Sequence, residues 1–119
     1  MPTIILKRIY EEPEKSDGFR VLVDRLWPRA MTKERAAIDE WEKDLAPSPG
    51  LRKWFAHDPA KWKEFQKRYK EELETNDYIE TFVSKHRSSK KLTLLYAGKD
   101  EDHTHAVMLK NYLEPLFNK

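Results

Sequence analysis

Apolar residues come first in short unbroken runs and then at spacings of three and four along this chain. TIILKRIY, residues 3–10, is rich in β-branched and aromatic side chains and predicts a first strand. EEPEKSDG follows, where Pro13, Asp17 and Gly18 mark a loop. FRVLVDRLW, residues 19–27, predicts a second strand. Its Val21, Leu22 and Val23 form a continuous apolar run of the kind found where both faces of a sheet are covered. About ten residues separate these strands, short for a parallel crossover, so they are either antiparallel neighbours or not adjacent.

Further along, Thr32 before KERAA predicts a short helix with a threonine cap. Ile38, Trp41 and Leu45 fit either a helical stripe or an extended segment. Ser48 and Pro49 have the form of an N-cap and first-turn proline opening a helix through LRKWFA, and Asp58 and Pro59 repeat the device. The helix after Pro59 carries Trp62, Phe65, Tyr69 and Leu73 at spacings of three and four, which is a surface helix with one apolar stripe. Asn76 and Asp77 cap another, with Ile79, Phe82 and Val83 on one face, and the basic run KHRSSKK ends it. LTLLYAG, residues 92–98, predicts a third and central strand. KDEDHTH is then a polar loop, and Thr104 caps a last helix lined by Ala106, Leu109, Leu113 and Leu116. Residues 1–119 thus form a single α/β domain, three-layer-like, with a small, largely parallel or mixed sheet of about three to four strands and four to five helices.

Composition adjusts this picture only modestly. A chain of 119 residues suits one core and is too short for two. Its 23 basic and 21 acidic side chains leave a net charge of +2, which argues neither for nor against nucleic acid. With 37% charged residues and a mean hydropathy of −0.89 the chain could be taken for a disordered one. Its 4 Trp, 5 Tyr and 5 Phe, spread along the whole length, exclude that. There is no cysteine, which removes disulfides, thiolate nucleophiles and thiolate metal sites together and suits a reducing compartment. The opening MPTIILKRIYEE has too short an apolar run for a signal peptide, and no stretch could span a bilayer. Cytoplasm is the expected location, and no membrane partner is expected.

Chemistry is expected where polar residues crowd the exits of strands, because ligands of open α/β sheets bind at the carboxyl ends of the strands. Asp24, Arg25, Trp27 and Arg29 follow VLV at one exit. Lys99, Asp100, Glu101, Asp102, His103 and His105 follow LLYAG at another. Two arginines around a rigid Trp-Pro suit a carboxylate or phosphate. Against this stands a structural reading in which Asp24 pairs with one arginine, Trp27 fills the core and Pro28 ends the strand. His103 and His105 could ligate a metal with the neighbouring acids, but alternate residues of an extended segment point opposite ways, so no metal is assigned. A hydrogen-bonding or proton-transfer role suits these histidines better. His57 and Asp58 read as helix punctuation. Trp54 and Phe55 read as core.

The leading expectation is a small anionic ligand held by Asp24, Arg25, Trp27, Arg29 and Lys99, with His105 and His103 as the candidate catalytic pair and no cofactor. Whether turnover occurs is left open, as is the oligomeric state. The alternative is a nucleic-acid-binding module, resting on Lys61, Lys63, Lys67, Arg68 and Lys70 interleaved with Trp62 and Tyr69, together with Lys85, Arg87, Lys90 and Lys91. Helical spacing buries those aromatics and Glu64, Glu71 and Glu72 dilute the charge, which weighs against it. A non-catalytic protein-interaction domain is the third reading.

FRVLVDRLWPRA, DLAPSPGLRKWFAHDPAKWKEF and LTLLYAGKDEDHTHAVMLKNYL stand in that order, and over nearly its whole length the chain resembles the YeaO-like branch of domain-of-unknown-function family 488. The resemblance implies a small bacterial cytosolic α/β protein and brings no mechanism with it. The family's first motif usually ends in glycine where this chain has Ala30, and asparagine often stands between the histidines where this chain has Thr104. Related branches look as though they carry a cysteine at the end of the strand matching LTLLYAG, near Tyr96 here. Likeness to cysteine-dependent phosphatase or rhodanese loops is therefore architectural, and this chain cannot use that chemistry.

Overall fold

A computed structural model describes residues 2–119. Four strands, β1 (Thr3–Arg8), β2 (Phe19–Leu22), β3 (Glu40–Trp41) and β4 (Lys91–Tyr96), form one sheet in the order β1-β4-β2-β3. All three pairings are parallel. The LTLLY strand is thus central, between β1 and β2, which are not adjacent. Five α-helices complete the fold among the described residues: α1 (Lys33–Ala36), α2 (Pro49–Phe55), α3 (Trp62–Glu74), α4 (Tyr78–His86) and α5 (His105–Phe117).

Side-chain alternation assigns the two faces of the sheet. Ile4, Val21, Val23, Leu92, Leu94 and Tyr96 point to a large core shared with α2 to α5, in which Phe55, Phe65, Tyr69, Phe82, Leu109 and Leu113 are buried. Leu22 and Leu95 point the other way, into a thinner layer with Ile9, Met31 and Ala36, flanked by Trp27 and Trp41. The expected caps are formed: Thr32 accepts from the Arg35 amide, Ser48 from Leu51, Asp58 from Ala60 and Thr104 from Ala106. Asn76 Oδ1 accepts from the Tyr78 amide, while Asp77 makes no cap bond. The α3 stripe is buried at Phe65, Tyr69 and Leu73, and Trp62 at its start is half-buried.

Two expectations need correction. The second strand ends at Leu22; Val23 donates one more bond to Leu95 O, and the chain then bends out of the sheet. The first ends at Arg8, because Tyr10 has already entered a turn. The segment 38–45, left open above, resolves into β3 and a 3₁₀ turn at Lys43–Leu45.

A short parallel connection from β1 to β2 has a specific construction. Residues 9–18 cross β4 without a full helix, and Asp17 is nearly buried where they reach the sheet. Its carboxylate accepts from Arg20 and Lys7, its carbonyl accepts from Thr93 Oγ1, and Arg20 also donates to Ala36 O and Ala37 O. Gly18 completes the turn at φ +67°, and a Cβ there would lie 2.8 Å from Lys91 O. Hydrogen bonds and charge pairing thus replace the helix of an ordinary crossover.

Candidate functional site

Because all four strands run parallel, their carboxyl ends share one edge of the sheet. A cavity of about 330 Å³ opens there, lined by residues that follow every strand: Tyr10 after β1, Asp24 to Arg29 after β2, Ala46 and Pro47 after β3, and Ala97, Gly98, Asp100 and His103 to His105 after β4. α2 and the turn after it add Arg52, Phe55 and His57. The two polar strand exits therefore border one cleft. Of the sequence-derived candidates, Asp24, Arg25, Trp27, Arg29, His103 and His105 line it. Lys99 is exposed and does not.

Asp24 pairs with neither arginine. One carboxylate oxygen accepts from the Ala97 amide at 2.9 Å, and the other lies 3.3 Å from His105 Nε2. His105 Nε2 is itself 2.9 Å from Val23 O, so this nitrogen carries a proton and donates it to the carbonyl. Asp24 Oδ1 is left buried without a hydrogen bond. Burial pushes the Asp24 carboxyl above the usual carboxylate range, against the pull of His105, the Ala97 amide and His57. With Nε2 held, His105 can offer only Nδ1 to a ligand.

Arg25 is half-buried and spends two nitrogens on backbone: Nε donates to Pro47 O at 3.0 Å and Nη2 to Ala46 O at 3.1 Å. It fixes the β3 exit against the β2 exit. Arg29 and Arg52 are exposed, and among the described residues neither guanidinium has a hydrogen-bond or ion-pair partner. Trp27 donates Nε1–H to Met31 O at 2.7 Å and meets Trp41 edge-on at 5.3 Å, so it belongs to the thin layer as well as to the wall. His103 Nδ1 lies 2.8 Å from Asp100 Oδ2, and Asp100 Oδ1 also accepts from the His103 amide. The hydrogen bond with His103 holds the Asp100 carboxyl below its ordinary range.

Sequence reasoning passed over three contributors. Arg52 carried no signal beyond its place in α2. Arg8 donates to Ala97 O and Gly98 O and so anchors the β4 exit. His57, read as helix punctuation, lines the cleft, with its ring 3.6 Å from where a Cβ on Gly98 would lie. Ala56 and His57 both adopt positive φ, 47° and 57°, which costs of order 1–3 kcal/mol per non-glycine residue and clusters at functional sites. Ala30 is also left-handed, at φ 59°, which explains why glycine suits that position.

Other chemistries find little support in the geometry. Among the described residues no three His, Cys, Asp or Glu side chains converge as a metal site requires. Tyr69 is buried with its hydroxyl donating to Leu45 O, and Trp62 packs against both Phe55 and Phe65, so neither is a free stacking platform for bases. No helix among the described residues is long and apolar enough to cross a membrane.

Residues 3–119 match the family model described as DUF488-N3i, "Inactive DUF488-N3 subclade". "Uncharacterized protein YeaO" of Escherichia coli is 39% identical over 110 residues, which is 92% of this chain and 96% of that protein. "Uncharacterized protein Mb3100c" of Mycobacterium bovis and "Uncharacterized protein Rv3073c" of Mycobacterium tuberculosis are each 48% identical over 66 residues, 56% of this chain and 56% of their own. No solved structure matches the chain.

Proposed function

This chain belongs to the inactive DUF488-N3 subclade, and from that premise we propose that its cleft binds a small anionic ligand without turning it over. The observation that carries the reading is the pair of unpartnered guanidinium groups, Arg29 and Arg52, bordering one small cavity with His57, His103 and His105. Charge on an exposed arginine is ordinarily solvated or paired with a neighbouring acid. Two free ones around a concavity offer donors of the kind that bind a carboxylate or phosphate bidentately.

Roles follow from the contacts. Arg29 and Arg52 clamp the anion. Arg25 and Arg8 shape the site through the carbonyls they hold, and Trp27 walls it. His105 contributes Nδ1, and Val23 O keeps its ring in place from the Nε2 side, with Asp24 beside it. The description of the subclade as inactive accords with a chain that has no cysteine and so no thiolate nucleophile.

Thermal unfolding in the presence of inorganic phosphate tests the proposal. Saturation at a hundred times Kd is worth about 2.7 kcal/mol of added stability, and the double variant Arg29→Ala, Arg52→Ala should lose that gain. Both side chains are exposed, so the variant keeps the fold. An equal gain in wild type and variant would refute the clamp.

A further inference from the structure

Two large hydrophobic side chains stand exposed among the described residues, Leu26 at 58% and Tyr10 at 36%. Both line the cavity already described. Single exposed apolar residues are ordinary, but their convergence in a concavity with a charged rim marks a ligand groove. Trp27, Pro28, Pro47 and Phe55 carry the same apolar lining inward.

On this basis, and resting on the anion-binding reading above, we infer that the ligand is an amphiphilic anion: one phosphate or carboxylate group joined to a ring-sized apolar body. The apolar walls are fixed rather than loose. Tyr10 donates its hydroxyl proton to Arg29 O at 2.8 Å, and the Arg8 guanidinium lies 5.1 Å from its ring centroid. The wall is thus tied to the backbone of a residue that supplies a free cation. Trp27 is held by Met31 O and Trp41. Surfaces fixed before binding lose little entropy when a ligand arrives. A cavity of about 330 Å³ lies at the small end of ligand pockets, which suits one ring and its headgroup rather than a polymer.

Calorimetric titration of the full chain with four probes tests this: phenyl phosphate against inorganic phosphate, and benzoate against acetate. Burying one aromatic ring should raise affinity at least roughly tenfold, so each aryl probe should bind that much more tightly than its bare counterpart. The pair with the stronger binding identifies the headgroup. Leu26→Ser should narrow the aryl advantage at least roughly threefold, and this exposed position tolerates serine. Equal affinities for phenyl and inorganic phosphate would overturn the inference and leave the anion reading standing. Aryl binding that Leu26→Ser does not alter would also overturn it. Failure of all four probes to bind would overturn both.

Discussion

Replacing Asp17 with asparagine removes a single charge from the network that carries the chain across β4. Asp17 is 3% exposed, and its carboxylate lies 2.5 Å from Arg20 Nη1 and 3.1 Å from Lys7 Nζ; it also accepts from the Glu14 amide at 3.0 Å. Arg20 is 4% exposed, and its other two hydrogen bonds go to the neutral carbonyls Ala36 O and Ala37 O. Without the Asp17 carboxylate, Arg20 stays buried with no counter-charge and Lys7 keeps only the exposed Glu14, which costs about 3–5 kcal/mol. A domain of this size has a total stability of roughly 5–15 kcal/mol. The midpoint of thermal unfolding should therefore fall by roughly 10–20 °C. Urea unfolding of both proteins at pH 7 measures the loss, with equal slopes confirming that only stability changed. Burial pushes the Asp17 carboxyl up, but the Glu14 amide, Lys7 and Arg20 together hold it below its ordinary value of 3.8. Its contribution is thus fully present above that value and disappears as pH falls through the lower folded value. The gap between wild type and Asp17→Asn should be flat near neutrality and close only in acid. A loss under about 1 kcal/mol, as for a surface ion pair, would refute the claim that this network replaces a crossover helix.

Other substitutions probe the backbone and the site. Gly18→Ala should destabilise by about 1–3 kcal/mol in denaturant titration, because positive φ and the contact with Lys91 O both oppose a side chain. Ala30→Gly should stabilise by about 0.5–1 kcal/mol by the same assay, since it relieves a left-handed alanine. Burial raises the Asp24 carboxyl above 3.8, so the folded chain takes up a proton before the unfolded chain does. Stability should rise as pH falls from neutrality through the folded value, and the gain should be complete at the unfolded value. Scanning calorimetry across that range should show the rise in wild type and its absence in Asp24→Asn.

Much of the fold was legible because it rests on local signals. The α3 stripe, the caps at Thr32, Ser48, Asp58 and Thr104, and the apolar run of β4 each lie within a few adjacent residues. Convergence of the two polar strand exits followed from one general property of parallel sheets. The rest depended on pairings distant in sequence. Nothing near Asp17 announces that Lys7 and Thr93 join the adjacent Arg20 as its partners, so the route from β1 to β2 stayed open between two topologies. Arg25 and Arg29 look equivalent in VDRLWPRA, yet only the folded chain brings Ala46 O and Pro47 O to Arg25. Lys99 was placed at the cleft by proximity in sequence, and the loop turns it outward. His57 followed the rule for helix ends, which is blind to a left-handed backbone that carries the ring toward Gly98.

Arginine side-chain NMR of the full chain during a titration with phenyl phosphate tests the central claim most directly. The account predicts that the Nε–H signals of Arg29 and Arg52 and the Trp27 indole N–H shift together and saturate at one common Kd, while Arg20, buried near the amino end of β2 and outside the cleft, stays still. Shifts that never saturate, or that fall only on the surface lysines of α3, would contradict it.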